Sequence, residues 1–463
     1  MSTDSIHTKL GSLRFKTASM ILIQIFIISL ALFFCTNCNL QESQNDNVPP
    51  NDYSYLIHDL NSLLLDAVVQ DGFTPPVASR AFAYPNIAAY EAVVKGGQGN
   101  LKSLVNQLNG FNSLPTPEVD APYDRNVVMI KAFTNVAVNM VYRDHILETG
   151  EKKLLNKLKV ELNDSKKFKN SIEFGEQLAK AINEWANADF YNETRSMSKW
   201  TVVDTPGAWQ PTPPKYGEAI EPHWFKLRPF AIDSNSQFRV PLSIKYDSSE
   251  SSEYMRLIKE VYKIVNESTE EHLEIAKFWD CNPSPSEIHG HLMVTNRQNT
   301  PGGHWLGITR IAAKRHNLNL EESCEILAKV GIAVADGFKV AWDTKYATNF
   351  VRPETFIQQY IDKDWTTKLE TPLFPEFTSA HSLISSTAAT VLTNRFGDTF
   401  SYTDSVNVAF GYAPRNFNSF YEAADEAAMS RVYGGIHYIP SCDIGKDQGK
   451  KVGQMVIDRL KTR

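Results

Sequence analysis

Along most of this chain apolar residues recur at helical spacing, and runs of strict alternation are few and short. Residues 55–69 show the pattern: Leu56, Leu60, Leu63 and Leu64 fall at i, i+4, i+7 and i+8, the stripe that an amphipathic helix buries. Residues 77–94, 127–141, 172–188, 253–266, 273–278, 321–342, 382–396 and 420–433 read the same way. A sheet needs a period of two, so these stretches can bury their apolar faces only helix against helix. The expected fold is all-α, in helical bundles, as two four-helix-bundle-like halves.

Residues 202–248 interrupt the pattern. They hold Pro206, Pro211, Pro213, Pro214, Pro222, Pro229 and Pro241, with Trp209 and Trp224 among them. A long loop rich in aromatics is expected to be a packed crossover rather than a disordered linker. It divides the chain into an N-terminal helical half (53–201) and a C-terminal helical half (249–463).

The first residues read as a targeting segment. Lys9, Arg14 and Lys16 precede an apolar stretch, 20–34, that is shorter than the roughly 20 residues a spanning helix needs. Residues 1–37 are thus expected to be a signal peptide and 38–52 a polar linker. Cys38 resembles the lipidated first residue of a bacterial lipoprotein. The mature chain is expected to be exported, as a periplasmic or outer-membrane lipoprotein or as a secreted protein. Beyond Cys38 only Cys281, Cys324 and Cys442 remain, too few and oddly numbered for a disulfide scaffold. A net charge of −6 and no Lys/Arg-rich run argue against nucleic-acid binding.

The chemistry concentrates in three short motifs: Lys345-x6-Arg352-Pro353, Ser379-Ala380-His381, and Ser430-Arg431-x5-His437. They gather three cations, a hydroxyl and two histidines, the donor set for a tetrahedral oxyanion. Ser379 follows Pro372 and Pro375 and precedes a small, apolar run, which places it at a helix N-terminus where free N–H groups favour an anion. Pro353 disfavours helical geometry at Arg352, so the preceding helix should stop before it. Gly434 and Gly435 imply a helix end between Arg431 and His437.

In order and spacing these motifs resemble those shared by type 2 phosphatidic acid phosphatases, bacterial acid phosphatases and vanadium-dependent haloperoxidases. The sequence departs from that pattern at Thr378, where Pro is usual, at Ala380, where Gly is usual, and at Ser441, where Asp commonly stands. Trp342 and Phe374 fall where vanadium haloperoxidases carry site-lining aromatics. The stretch from Thr74 through Arg80, Phe278-Trp279, and the stretch from Thr300 to Trp305 also resemble secreted bacterial haloperoxidases.

The resemblance implies an anion site in the C-terminal bundle holding vanadate, one vanadium ion per site, with His437 as its ligand. Lys345, Arg352, Ser379, Ala380 and Arg431 would hold the vanadate oxygens, and His381 and Lys345 would act in catalysis. Hydrogen peroxide and a halide, iodide first and bromide second, would be the substrates. The same constellation implies a rival, a secreted acid phosphatase in which His437 carries the phosphoryl group. That rival needs a carboxylate to orient His437, and Asp280, Asp343, Asp425 and Asp443 are the candidates. A third class, a protein that only captures phosphate, would leave two histidines without a task.

Overall fold

The structure is a computed structural model, and it describes residues 52–463 apart from 97–100, 119, 284–285, 290–291 and 296. The signal-like segment and Cys38 lie outside the described residues.

The N-terminal half holds α1 (Ser54–Asp71), α2 (Pro75–Gly96), α3 (Arg125–Val138), α4 (Asp144–Leu162), α5 (Ser165–Asn187) and the single turn α6 (Tyr191–Thr194). The C-terminal half holds α7 (Glu253–Asn266), α8 (Glu270–Phe278), α9 (Pro301–Arg315), α10 (Leu320–Thr348), α11 (Pro353–Tyr360), α12 (Ala380–Phe396), α13 (Phe420–Tyr433) and α14 (Ile439–Arg459). Two antiparallel hairpins are added, β1 (Ser286–His289) with β2 (Leu292–Thr295) and β3 (Tyr402–Asp404) with β4 (Arg415–Phe417). The fold is mainly helical, as the periodicity implies. Helices α4, α9, α11 and α14 go beyond the periodic stretches, and α10 runs on past Trp342 to Thr348.

Helix α10 is the axis. Asn319 and Glu322 close its N-terminus as a capping box, and buried residues cover its whole circumference rather than one stripe. It packs on α2 in one half and on α12 in the other. One apolar core therefore runs from Leu56 to Leu460. The 202–248 segment is packed onto this axis: Trp209 and Trp224 are fully buried. Asp336 of α10, also buried, accepts from the backbone N–H groups of Phe230 (2.7 Å) and Ala231 (2.6 Å) and pairs with Lys339 at 3.1 Å. A buried carboxylate satisfied by backbone donors anchors a loop as firmly as a helix end would.

Helices α12 and α14 lie unusually close. A Cβ added at Gly445 would sit 2.7 Å from the Ser379 carbonyl, and at Gly453 2.8 Å from the Thr387 carbonyl. The absence of side chains along that edge brings Ser441 within reach of Ser379, whose N–H donates to the Ser441 carbonyl at 3.1 Å. This contact sets the position of the second motif relative to the third.

Candidate active site

The two cations of the first motif come from different elements. Lys345 occupies the last turn of α10, which closes at Asn349 in the left-handed region (φ 46°). Arg352 is extended (φ −80°, ψ 152°) because Pro353 follows it, and it precedes the first turn of α11. Both side chains are fully buried. Lys345 Nζ donates to the carbonyls of Pro375 (2.9 Å) and Glu376 (2.8 Å). Arg352 donates to Phe374 O through Nε (3.1 Å) and Nη2 (2.9 Å), and to Ile436 O through Nη1 (2.8 Å). Segment 374–376 thus holds both cations by its carbonyls. The Phe374 ring lies under them, with Nζ and the guanidinium carbon each 5.1 Å from its centroid, and Trp342 packs 4.9 Å from that ring.

Ser379 caps α12, its Oγ accepting from Ser382 N (3.3 Å) and Ser382 Oγ (2.8 Å). Those contacts use its acceptor capacity and leave its own proton free to donate. Ala380 begins the helix outside the left-handed region, so its N–H points as a glycine's would. His381 Nε2 lies 3.2 Å from Asp280 O, and since a carbonyl only accepts, that nitrogen carries the hydrogen.

Arg431 ends α13 and is buried; its Nη1 donates to Trp279 O (3.2 Å) and Asp280 O (3.3 Å). The chain then turns at Gly435 (φ 80°), where a Cβ would meet Trp365 at 3.1 Å. That turn delivers His437 into the cation cluster. Its Nε2 is 3.1 Å from Arg352 Nη1 and its Nδ1 is 2.6 Å from Glu376 Oε1. Arg352 can only donate, so the Nε2 lone pair faces the cations and the hydrogen sits on Nδ1.

The carboxylate behind His437 is therefore Glu376, and the four aspartates expected for that task are corrected. Asp343 pairs with Arg239 (2.6 Å), and Asp425 and Asp443 pair with Lys446 (3.0 and 3.3 Å). Asp280 lies by Arg431 instead, 3.7 Å from Nη1. Glu376 stands 61 residues before His437 in sequence and also accepts from Ser441 Oγ (2.7 Å) and Tyr438 N (3.2 Å). Ser441, at the position where Asp is usual, thus supports a carboxylate supplied from elsewhere. The only local signal was Glu376 itself, a charged residue among Phe374, Pro375 and Phe377 three places before the second motif.

The cluster is electrostatically unfinished. Burial, then Arg352, drives Lys345 well below the ordinary ammonium range. Burial pushes Arg352 down to about 10 and lowers Arg431 as well. Burial with Arg352 and Lys345 keeps His437 well below the usual imidazole range, and burial with Arg431 does the same to His381. Among the described residues Lys345 and Arg352 meet carbonyls but no carboxylate within ion-pair distance, and the buried Arg431 Nε has no partner. Carbonyls orient cations without neutralising them, so the site calls for an anion. A tetrahedral oxyanion fits: Ser379 O–H, Ala380 N–H, Arg431 Nε and the remaining Lys345 proton are available donors, and a neutral imidazole lone pair faces them. His381, Arg431, Phe374, Asp280 and Cys281 line an adjoining cavity of about 150 Å³. Lys345, Arg352, Ser379 and His437 do not line it.

The chain is 39% identical to a bacterial vanadium-dependent iodoperoxidase of known crystal structure, over 90% of this chain and 98% of that one, with a TM-score of 0.84. The chain belongs to the vanadium-dependent haloperoxidase family. As an enzyme of that family it also shares its fold with a bacterial vanadium-dependent chloroperoxidase solved in holo and apo forms. The holo form is 16% identical (84% of this chain, 94% of that one, TM-score 0.64), and the apo form 14% (84% and 95%, TM-score 0.61). Residues 358–463 match the family model of the VCPO second helical-bundle domain. No curated protein sequence matches this haloperoxidase. Among its described residues no helix is long and apolar enough to cross a membrane.

Proposed function

We propose that this haloperoxidase holds one vanadate per site and uses hydrogen peroxide to oxidise iodide, with bromide second, to hypohalous acid. The observation that carries this is the buried trio Lys345, Arg352 and Arg431, held by carbonyls, with Arg352 on the His437 lone pair. Iodide is favoured by the iodoperoxidase relative and by Phe374 lying in the site.

Vanadate bound there supplies a Lewis-acidic centre at which peroxide becomes open to halide attack. His437 Nε2 would be its single protein ligand, presented by Glu376 at Nδ1 as carboxylates orient metal-bound histidines. Lys345, Arg352, Arg431, Ser379 O–H and Ala380 N–H offset the oxygen charge. His381, neutral because of burial and Arg431, keeps a lone pair on Nδ1 to take a proton from peroxide, and Asp280 O fixes its ring. Lys345 would polarise the peroxide through its remaining N–H. Phe374 covers two of the cations, and Trp342 packs behind its ring.

Glu376 also favours a second reading. A carboxylate at 2.6 Å on His437 Nδ1 suits a nucleophilic imidazole, as an acid phosphatase with a phosphohistidine intermediate requires. The mature chain, loaded with orthovanadate, is to be assayed for peroxide-dependent iodide oxidation beside p-nitrophenyl phosphate hydrolysis. Iodide oxidation that depends on vanadate is expected; its absence alongside brisk phosphate release would overturn the haloperoxidase reading. We also propose export through residues 1–37 with lipid at Cys38, for which loss of labelled palmitate from a Cys38→Ser variant is the check.

A further inference from the structure

Beside the anion site a second chemical group lines the same cavity. Cys281 Sγ lies 3.4 Å from His304 Nδ1, and His304 Nε2 lies 2.8 Å from Asp404 Oδ2. The three residues are buried, His304 and Asp404 completely, yet Cys281 is part of the cavity wall with His381 and Arg431. The other lone-pair side of Asp404 is taken by Val406 N at 3.0 Å. Trp279 stacks on the imidazole at 4.6 Å, so the ring is fixed in plane as well as in direction. A carboxylate accepts, so Nε2 bears its hydrogen and Nδ1 is turned to the sulfur and to Asn407 Nδ2, 3.3 Å away. This is a sulfur, an imidazole and a carboxylate in line, the arrangement that activates a nucleophile. Burial opposes charge on His304, but Asp404 and Cys281 outweigh it and raise the ring to about 10. In the same wall the buried Asp280 Oδ1 and Arg431 Nε lack hydrogen-bond partners, so polar atoms there await a small polar occupant.

We propose that Cys281 is a thiol which the enzyme's own hypohalous acid oxidises, so that turnover marks the cavity wall and then silences the site. The proposal rests on the haloperoxidase reading above, because that reaction supplies the oxidant. The sulfur attacks the iodine of hypoiodous acid; an S–I bond forms, the O–I bond breaks, and the departing hydroxide takes the thiol proton from His304 to leave as water. Water then displaces iodide from sulfur and loses a proton, giving a sulfenic acid. Sulfur gives up two electrons overall, and the iodine of the acid ends as iodide. The added oxygen lies one residue from Asp280, whose carbonyl holds both His381 and Arg431. Cys324 and Cys442 are buried too, do not line the cavity, and have their thiols pushed up by burial. They serve as controls within the same molecule.

The test traps sulfenic acid with dimedone and reads the three cysteines by peptide mass spectrometry. With hypoiodous acid added as a reagent to protein without vanadate, Cys281 should label about tenfold faster than Cys324 or Cys442, and His304→Gln should remove that lead. Equal labelling of the three would overturn the proposal, whatever the enzyme's activity. In vanadate-loaded enzyme turning over peroxide and iodide, Cys281 should label in step with loss of activity, while peroxide without iodide should leave it unlabelled. Labelling by peroxide alone, or sustained iodide oxidation with Cys281 untouched, would also overturn it. Should no iodide be oxidised, the haloperoxidase reading fails and the reagent arm still judges the thiol. Cys281→Ser, a near-isosteric change independent of the His304 variant's folding, should keep the initial rate and complete several-fold more turnovers before inactivation. An unchanged number of turnovers would count against self-oxidation.

Discussion

Among the described residues, the buried Arg80 and the buried trio Lys345, Arg352 and Arg431 end in opposite electrostatic states. In the N-terminal half Arg80 meets Asp189 at 2.7 Å, and Tyr84 donates to the same carboxylate at 2.9 Å. Burial alone would lower Arg80, but Asp189 more than offsets it and raises the guanidinium above its ordinary value. In the C-terminal half Lys345, Arg352 and Arg431 are buried more deeply than Arg80, are held by carbonyls, and are all lowered. The first cluster is complete within the chain and ties α2 to the end of α5. The second is oriented but only partly neutralised, with one carboxylate, Asp280 at 3.7 Å from Arg431, for three cations. That difference separates a structural ion pair from a receptor for an anion.

The comparison can be broken at either cluster. The largest effect belongs to His437→Ala, which should lower vanadate-dependent iodide oxidation on the order of a thousandfold or more, followed by the absorbance of triiodide. Arg80→Ala should cost about 3–5 kcal/mol in denaturant unfolding, because it leaves Asp189 buried alone, yet leave turnover per folded molecule unchanged. If Arg80→Ala instead weakened vanadate binding at normal stability, the two clusters would not be distinct in kind. Glu376→Gln should weaken vanadate roughly 10–100-fold in a binding titration, and adding Ser441→Asp should recover part of the loss by returning a carboxylate to His437. Lys345→Met should raise the melting temperature of the vanadate-free protein by a few degrees while weakening vanadate, since it removes a buried charge that only an anion completes. A fall in melting temperature would show that Lys345 holds segment 374–376 as a structural element.

The smallest effect is a pH slope. His304 has its folded-state value raised to about 10 from an ordinary 6.5, so its contribution to stability is full below pH 6.5 and is lost as pH rises through 10. The melting temperature of the wild type should therefore fall more steeply over that window than that of Asp404→Asn. Parallel slopes would mean that the pair does not hold its proton.

Much of the site was legible because its motifs are local. Ser379 before a small, apolar run reads as a cap, and Pro353 after Arg352 reads as a helix start, and both stand so in the fold. Glu376 was not legible as the partner of His437, because a hydrogen bond 61 residues long in sequence leaves no periodic trace. Helix α14 was missed because Gly445, Gly449 and Gly453 weaken helical propensity when read alone. Against α12 the same glycines permit the close contact that makes the helix pay. Helix α4, rich in lysine and glutamate, shows only a thin apolar stripe at Leu147, Leu154 and Leu158.

By itself the sequence determined the helical class and the chemical types gathered at the candidate anion site. Apolar period, proline and capping residues act over a few positions, and their physics is the same wherever the chain lies. Tertiary structure alone decided how the charges are compensated: that Asp189 neutralises Arg80, that Glu376 rather than any of four aspartates holds His437, and that Cys281, His304 and Asp404 share one cavity wall. Compensation depends on distance and burial between residues far apart in the chain, and neither exists until α10, α12 and α14 have packed.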